Sequence, residues 1–241
     1  SIHRVVNGSQ STLDIKRKNP KADSIEILYK VVGKGTKILS EKKPGEYLDI
    51  LGPLGNGFNL SAIRYPLSAI LVGGGMGVAP LLFLAQRIIE SYPLSAIRYP
   101  LVLIGANTKK EILSQKEFAK LGCSVKISTD DGSAGFKGKV TDLLKKILVA
   151  RRMSHVAGAK LKKPVTCDLG RETIIYACGP EPMLKEVSLI SRQCNVPSQI
   201  SLEEYMACGL GVCLGCMVNT HRGFQTVCRE GPVFDSRIIK W

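Results

Sequence analysis

Short apolar runs alternate with longer amphipathic stretches between residues 69 and 192, and this alternation limits the possible folds more than any other feature. The apolar runs predict strands at 69–72, 101–104, 124–128 and 173–177. The stretches between and after them predict helices at about 78–91, 109–121, 139–149 and 180–192. Strands that alternate with helices favour crossover connections and therefore a parallel sheet with helices on its faces.

The chain on either side of this region has a different character. Residues 1–59 contain short β-like runs separated by turn residues, with strands predicted at 24–32 and 47–51. Residues 198–241 lack a long periodic element and contain a cluster of cysteines. We therefore expect an α/β fold with additional β structure, divided into domains at 1–59, 60–197 and 198–241.

Two segments interrupt this order. The octamer Leu-Ser-Ala-Ile-Arg-Tyr-Pro-Leu occurs at 60–67 and again at 94–101. Nothing else recurs at that spacing, so a repeat array is excluded and each copy is interpreted as a connecting segment. The polar, basic stretch at 154–170 is interpreted as a surface loop insertion.

The formal charge of +14 raises the question of an acidic or nucleic-acid partner. The basic residues are spread along the chain, and the densest group, 151–163, lacks the interleaved aromatic residues of a nucleic-acid platform. We interpret the charge as a solvated basic surface, with electrostatic docking of a protein partner as the alternative. No apolar run reaches the length of about 18 residues that a transmembrane helix needs, so no membrane span is expected.

The cysteines near the C-terminus have a diagnostic spacing. Cys208, Cys213 and Cys216 follow the C-x4-C-x2-C pattern of plant-type [2Fe–2S] proteins, and Cys228 supplies a fourth thiol. The glycines between them allow the backbone to curl closely around a cluster. A structural zinc site would more often present two C-x2-C pairs, and a disulfide framework suits small secreted domains. These two alternatives remain open, but the spacing favours iron and sulfide.

A glycine-rich loop joins the first predicted strand of the parallel sheet to the helix that follows. It contains Gly73, Gly74, Gly75 and Gly77. Glycines let the backbone approach a ligand, and the N–H groups at the start of a helix favour phosphate. The loop departs from the G-x-G-x-x-G fingerprint, and glycine also serves tight strand–helix packing. Its position after the first parallel strand makes it a candidate dinucleotide site.

Two more loops follow predicted parallel strands, at the sheet edge where ligands usually bind. The first contains Asp130 and Asp131, either of which could accept hydrogen bonds from a ribose diol and repel a 2′-phosphate. An acidic turn that caps a helix is the alternative. The second loop begins with Cys178 and Gly179, where the cysteine could simply fill a tight turn.

The glycine loop, the Asp-Asp-Gly loop, the Cys-Gly-Pro-x-Pro-Met segment and the cysteine cluster, in that order, resemble the ferredoxin–NADP⁺ reductase superfamily. Within it, the chain is most similar to the electron-transfer subunits of NAD-dependent dihydroorotate dehydrogenases. The resemblance implies an antiparallel Greek-key flavin barrel, a Rossmann-like nicotinamide domain and an iron–sulfur module. It places Ser1 at the end of an Arg-Pro-x-Ser flavin motif, so we expect residues 1–59 to lack the N-terminal half of the barrel.

The resemblance also implies roles for individual residues. Ser1 and the strand residues Leu28, Tyr29 and Lys30 would border FAD, and Gly35 and Thr36 would lie on the turn that holds its pyrophosphate. Gly73, Gly74, Gly75, Gly77, Cys178 and Gly179 would contact NAD(H). Asp130 stands where NADPH-using relatives have the arginine of a Ser-Arg pair, which favours NADH. Cys208, Cys213, Cys216 and Cys228 would bind the [2Fe–2S] cluster.

The function that this resemblance implies is electron transfer in pyrimidine biosynthesis. The chain would be an NAD-linked flavin and iron–sulfur oxidoreductase subunit, in a cytoplasmic hetero-oligomer such as a heterotetramer. Its partner would be the FMN-containing catalytic subunit that oxidises dihydroorotate, and no general base is required on this chain. The alternatives are an NADH-dependent reductase component serving a hydrogenase, sulfur reductase or oxygenase, and a zinc-stabilised, non-catalytic interaction module.

Overall fold

The computed structural model describes residues 12–14, 24–60, 68–91, 99–156 and 173–241; for residues 12–14, 24–26 and 151–156 it describes the backbone alone. The chain divides into two compact units, Ser1–Pro53 and Leu54–Trp241. The predicted residue Ser1, most of both octamer copies, and 157–170 of the predicted insertion lie outside the described residues. Among the described residues, no helix has the length and hydrophobicity needed to cross a membrane.

The first unit contains an antiparallel pair of short strands, β1 (Thr12–Asp14) and β2 (Ser24–Glu26), followed by helix α1 (Lys34–Glu41). The predicted strand at 24–32 therefore ends early, and no strand forms at 47–51. Val32 and Tyr47 are 78% and 88% exposed. Strand-like composition yields a strand only where a neighbouring strand and a packed face exist, and these side chains have no packed face in the unit.

The predicted turn at Gly35 and Thr36 is also wrong, because both residues lie in the first turn of α1. Thr36 accounts for this start. Its Oγ1 accepts hydrogen bonds from the backbone N–H groups of Val32 and Gly33, at 2.9 and 3.2 Å. It also donates to the Gly33 carbonyl at 3.1 Å. The Thr36 side chain thus holds the backbone of residues 32 and 33 against the first turn of α1.

The second unit is built on a seven-stranded sheet with the order β11-β8-β7-β3-β4-β5-β6. Five strands belong to the region of strand–helix alternation: β3 (Ser68–Gly74), β4 (Leu101–Ala106), β5 (Ser124–Thr129), β6 (Phe136–Lys137) and β7 (Thr173–Cys178). Two come from the C-terminal region: β8 (Ser198–Ser201) and β11 (Val233–Asp235). All neighbouring strands pair in parallel except β11, which is antiparallel to β8.

Helices cover both faces of this sheet. Their bounds are α2 (Val78–Ser91), α3 (Gln115–Lys120), α4 (Val140–Val156) and α5 (Glu181–Gln193). Because side chains alternate across a strand, Ile70 and Val72 of β3 face α4 and α5, whereas Leu71 faces the opposite side with α2. Both faces of the central strands are buried, which explains why their sequences are continuously apolar.

The C-terminal region adds an antiparallel hairpin, β9 (Met217–Thr220) and β10 (Gly223–Thr226). Buried residues of this region, including Cys216, Val227 and Phe234, belong to the same hydrophobic cluster as the sheet. The predicted fold class is confirmed. The domain division at 59/60 and 197/198 stays a prediction; β8 and β11, which follow residue 197, extend the same sheet.

Candidate functional site: a glycine loop and a four-cysteine loop

The topology of the sheet creates a crevice between β3 and β7. Along the chain, β3, β4 and β5 extend the sheet to one side, and β7 and β8 then extend it to the other. The connections therefore diverge at β3 and β7, where Gly73 lies beside Cys178 in register. In open α/β sheets, ligands bind at this switch point, beyond the carboxyl ends of the strands.

The glycine loop and the Cys178 loop pack directly against each other at that crevice. A Cβ on Gly77 would collide with the Cys178 carbonyl, and a Cβ on Gly74 would lie 2.8 Å from the Met183 sulfur. A Cβ on Gly179 would likewise come too close to Met183 and to the backbone of Gly74. These glycines therefore serve the contact between two loops, and the sequence did not reveal that Met183 fills the space beside them.

Gly75 differs from the other glycines of the loop. It has a left-handed φ of +52°, and a Cβ there would meet no atom within 4 Å. A 3₁₀ turn, Gly75–Gly77, runs from here into α2. Gly75 thus exposes its backbone to open space immediately before a helix, where N–H groups and the helix dipole favour a phosphate.

Asp130 and Asp131 follow β5 at the same edge of the sheet, and the structure gives each carboxylate a partner. Asp130 forms an ion pair with Lys139 at 2.5 Å. Asp131 accepts hydrogen bonds from the Ser133 hydroxyl at 2.6 Å and from the Ser133 backbone N–H at 2.8 Å. These bonds lower the pKa of Asp131. Asp131 therefore shapes the turn. The partner of Asp130, Lys139, has a largely exposed side chain.

Cys178 ends β7 with its thiol in a desolvated environment. Burial raises its pKa to about 11, Glu203 acts in the same direction, and a hydrogen bond with Ser201 opposes them in part. The thiol is consequently neutral near pH 7. A neutral thiol suits a small packing residue beside a ligand better than a nucleophile.

The four C-terminal cysteines lie in one loop system, with their sulfurs in two pairs. Cys208 is hydrogen bonded to Cys213, and both lie toward the surface. Cys216 is hydrogen bonded to Cys228, and both are buried. None of the described cysteines forms a disulfide. Among the side chains that the structure describes, no three histidine, cysteine or carboxylate groups converge on a single metal position. Two pairs of thiols suit a two-iron centre, in which four cysteines are shared between two irons.

Backbone N–H groups surround these sulfurs. Leu210 and Cys213 donate to the Cys208 sulfur, both at 3.4 Å, and Gly211 donates to the Cys228 sulfur at 3.1 Å. Left-handed backbone at Gly209, Gly211 and Leu214 turns the N–H groups inward. Such a set of donors stabilises negative charge on the sulfurs. The loop therefore fits a metal centre that is bound by thiolates.

The pKa values of the cysteines reflect this environment. The N–H groups of Cys213 and Leu210 lower the pKa of Cys208 to about 6. Burial raises the pKa of Cys228, and its neighbour Cys216 acts in the same direction. Cys208 is therefore prepared as a thiolate, whereas the inner pair, Cys216 and Cys228, is protected from solvent.

Residues outside the sequence motifs hold this loop system in place. Glu230 accepts hydrogen bonds from the Thr226 hydroxyl at 2.6 Å and the Thr226 backbone N–H at 2.7 Å. The two bonds lower the Glu230 pKa and close the turn that contains Cys228. Asn56 donates to two carbonyls of the same turn. Thr226 and Glu230 stand four residues apart, one more than the spacing of a capping box, and no sequence signal links Asn56 to this turn.

A parallel sheet with a glycine loop at its switch point, followed by a loop of four paired thiols, defines a class of protein: nicotinamide-linked oxidoreductases with an iron–sulfur centre. The family models agree with this class. Residues 71–188 match the oxidoreductase NAD-binding domain. Residues 203–240 match the iron–sulfur cluster binding domain of dihydroorotate dehydrogenase B.

Relatives of known name identify the family. The chain is 40% identical over 223 residues to a dihydroorotate dehydrogenase B (NAD⁺) electron transfer subunit from Desulforamulus reducens, covering 90% of this chain and 74% of that protein. A protein of the same name from Caldanaerobacter subterraneus is 39% identical, with coverages of 88% and 74%. The chain belongs to the family of dihydroorotate dehydrogenase B electron transfer subunits, which confirms the family predicted from the sequence.

Solved structures give the same fold. A chain from the NADH-dependent reduced ferredoxin–NADP oxidoreductase, studied for flavin-based electron bifurcation, is 33% identical and aligns with a TM-score of 0.66. The alignment covers 88% of this chain and 67% of that chain. A flavohemoglobin from Malassezia yamatoensis, with FAD and heme bound, has a TM-score of 0.50 at 19% identity, covering 72% and 41%, and supports the fold alone.

Proposed function

We propose that this chain carries electrons between NAD(H) and the FMN of a dihydroorotate-oxidising catalytic subunit, by way of FAD and a [2Fe–2S] cluster. The observation that carries the proposal is a loop in which four thiols are paired and backbone N–H groups donate to the sulfurs. This loop follows a parallel sheet of the kind that binds nicotinamide nucleotides. The chain is accordingly an oxidoreductase subunit that needs a catalytic partner.

The nucleotide would bind at the crevice between β3 and β7. Gly74 and Gly77 keep the two loops in contact, and Gly73 packs against Val78 and Leu81 of α2. Gly75 offers its backbone to a phosphate at the start of α2. Cys178 and Gly179 lie on the opposite wall, where the Cys178 thiol is neutral and Gly179 packs against Met183 and the backbone of Gly74. Asp130 would accept hydrogen bonds from the ribose hydroxyls once Lys139 moves aside, and it would repel a 2′-phosphate.

The cluster would be held by Cys208 and Cys213 on one iron and by Cys216 and Cys228 on the other, following the sulfur pairs. When bound, such a cluster accepts and releases single electrons, which complements the two-electron chemistry of NAD(H). The chain's own contribution is electrostatic. Its N–H groups stabilise the charge on the sulfurs, and burial of Cys216 and Cys228 excludes water from one side.

FAD would bind to the first unit. The helix start at Gly35 and Thr36 suits its pyrophosphate, because helix N-termini attract phosphate, and a Cβ on Gly35 would meet no atom within 4 Å. Leu28 and Tyr29 are half-buried and Lys30 is exposed, in the segment between β2 and this helix. Ser1 would complete the site as the resemblance implies. The family's flavin-type fold neighbours support FAD as a cofactor.

We place the protein in the cytoplasm, in a hetero-oligomer with its catalytic partner. Cys208 supports this compartment, because a partly exposed thiol with a lowered pKa, and the cluster that it would bind, are sensitive to oxidants. Fractionation of cells that produce the full-length protein would test the placement, and recovery from an exported fraction would contradict it.

A second candidate function is that of an NADH-dependent reductase component for a different partner. The observation that favours it is the 33% identity to a chain of the NADH-dependent reduced ferredoxin–NADP oxidoreductase. The sheet, the glycine loop and the cysteine loop suit either function, so the partner decides between them.

The test is anaerobic purification with iron and sulfide reconstitution, followed by absorption spectroscopy and co-purification. We expect iron and acid-labile sulfide in equal amounts, and NADH formation from dihydroorotate when the FMN-containing catalytic subunit is added. A protein that binds zinc and no iron would contradict the cluster. A protein with the cluster that reduces another acceptor but does not form a complex with that subunit would select the second candidate.

A further inference from the structure

The segment 54–59 lies along the turn that carries Cys228. Residues 56 and 232 form a parallel β-bridge. The Asn56 N–H donates to the Gly231 carbonyl, and the Asn56 carbonyl accepts from the Val233 N–H at 3.2 Å. This segment follows directly on the first unit in the chain, and it is far from Cys228 in sequence.

The Asn56 side chain strengthens this contact at one specific place. Its Nδ2 donates to the Arg229 carbonyl at 3.2 Å and to the Glu230 carbonyl at 3.1 Å. These are the two carbonyls that immediately follow Cys228. One amide group thus satisfies two consecutive acceptors of the turn. It thereby fixes the direction of the backbone that follows Cys228.

Gly55 brings the same segment close to Cys228 itself. Its φ is +65°, a conformation that glycine adopts readily. A Cβ at this position would collide with the Gly231 carbonyl and would lie 3.1 Å from the Cys228 carbonyl. The pair Gly55–Asn56 therefore combines the close approach that glycine allows with the two hydrogen bonds that asparagine supplies.

The other end of the segment is anchored away from the cysteines. Gln199 on β8 accepts from the Asn59 N–H at 2.8 Å and donates to the Asn59 carbonyl at 2.9 Å. Phe58 packs edge-to-face on Tyr176 of β7, with ring centroids 5.5 Å apart. Two side-chain amides thus hold one segment, but only that of Asn56 reaches the cysteine loop.

We infer that Asn56 is a positioning residue for the cluster. By donating to the Arg229 and Glu230 carbonyls, it holds Cys228 in the orientation in which its sulfur pairs with that of Cys216. This inference rests on the proposed function, since it presumes that these cysteines bind iron. It predicts that loss of the Asn56 amide changes the cluster's electronic environment and its retention.

The test compares Asn56→Ala with the matched control Gln199→Ala, each in the full protein with its partner. Both variants lose an amide that holds the same segment, and Asn56 is exposed, so its removal leaves no buried cavity. We expect Asn56→Ala to release iron to a chelator about fivefold faster, the factor that corresponds to about 1 kcal/mol for lost hydrogen bonds. At full iron content, its reduced-state EPR g values should also shift. Gln199→Ala should keep wild-type g values and a release rate within about twofold of wild type.

Two outcomes would overturn the inference: Asn56→Ala with wild-type g values and iron release, or equal changes in both variants. If Asn56→Ala does not fold, Asn56→Asp keeps the shape without the donors, and Gln199→Glu matches its charge. A wild-type chain that takes up no iron and sulfide would instead reject the proposed function, and the inference with it. Wild-type cluster content therefore separates the two failures.

Discussion

At the scale of single residues, glycines that look alike in the sequence have different roles in the structure. Gly77 is in contact with the Cys178 carbonyl, whereas Gly75 faces open space. The sequence predicts that the whole loop approaches a ligand, and only Gly75 has the geometry for it. Gly74 and Gly77 pack against the second loop, and Gly73 packs against Val78 and Leu81 of α2.

Substitution of Gly77 by alanine should separate these roles. The new Cβ would collide with backbone, which cannot move as a side chain can, so we expect destabilisation by about 2 kcal/mol together with weaker NADH binding. Denaturant unfolding and NADH titration would measure both. Gly75→Ala is the control; its Cβ has space, so it should lose only about 1 kcal/mol through the left-handed backbone. Equal losses in the two variants would contradict this division of roles.

The reactivity of Cys178 provides a pH-dependent prediction. Burial raises its pKa to about 11, so the thiol is neutral up to pH 9 and becomes thiolate only as the pH approaches 11. Alkylation by iodoacetamide should therefore be slow at pH 7.5 and should rise about tenfold per pH unit up to pH 10. Peptide mass spectrometry follows the modification, with Cys178→Ser to confirm the assignment. A rate that levels off by pH 8.5 would show that the thiol is not desolvated.

The carboxylate of Asp130 bears on the choice of nucleotide. It lies at the ribose end of the predicted site and is paired with the largely exposed Lys139. We expect Asp130→Ser to reduce the preference for NADH over NADPH by about tenfold, because one charge repulsion of about 1.4 kcal/mol is removed. Steady-state kinetics with both nucleotides would measure the ratio. Asp131→Ser is the control, since Asp131 shapes the turn through Ser133, and an effect of equal size there would contradict the role of Asp130.

At the scale of elements, the alternation of apolar runs and amphipathic stretches predicted the main strands and helices between residues 69 and 192. The predicted helix at 78–91 has the observed bounds of α2. α3 is shorter than the helix predicted at 109–121, α4 extends beyond the end predicted at 149, and α5 is displaced by one residue from 180–192. Strand β8 escaped prediction because Ser198–Ser201 is a short, polar run. It enters the sheet through buried hydroxyl contacts. The Ser198 hydroxyl donates to Ser236 at 2.5 Å and is 2.9 Å from the Ser191 hydroxyl.

Removal of the Ser198 hydroxyl should weaken the connection between α5, β8 and the C-terminal segment. Ser198→Ala leaves the buried Ser191 and Ser236 hydroxyls without this partner, so we expect a loss of about 1–3 kcal/mol in the free energy of unfolding. Denaturant unfolding measures it. Ser124→Ala, at an exposed position at the start of β5, provides the comparison and should change stability by less than about 0.5 kcal/mol. Equal stability of the two variants would contradict the network.

At the scale of the whole molecule, the cysteine loop and the nucleotide crevice share a sheet but depend on different contacts. Buried Cys216 and Cys228 belong to the same hydrophobic cluster as the strands, whereas the crevice is built by glycines at the ends of β3 and β7. The two sites should therefore respond differently to loss of iron.

Chelation of iron from the reconstituted protein should lower the melting temperature and abolish electron delivery to the partner. The affinity for NADH should change by less than about threefold, because the crevice does not use Cys208, Cys213, Cys216 or Cys228. Thermal unfolding and NADH titration before and after chelation provide the comparison. A loss of NADH binding that parallels the loss of iron would show that the crevice depends on the cluster.

By itself, the sequence determined the strand–helix alternation between residues 69 and 192, the spacing of the four C-terminal thiols and the family. Hydrophobic periodicity and the spacing of cysteines are local properties, and local properties can be inferred from neighbouring residues. The contacts of Asn56 with the carbonyls after Cys228, the pairing of sulfurs and the collision of Gly77 with Cys178 were decided by tertiary structure. These contacts join segments far apart in the chain, and no local pattern encodes a distance between such segments.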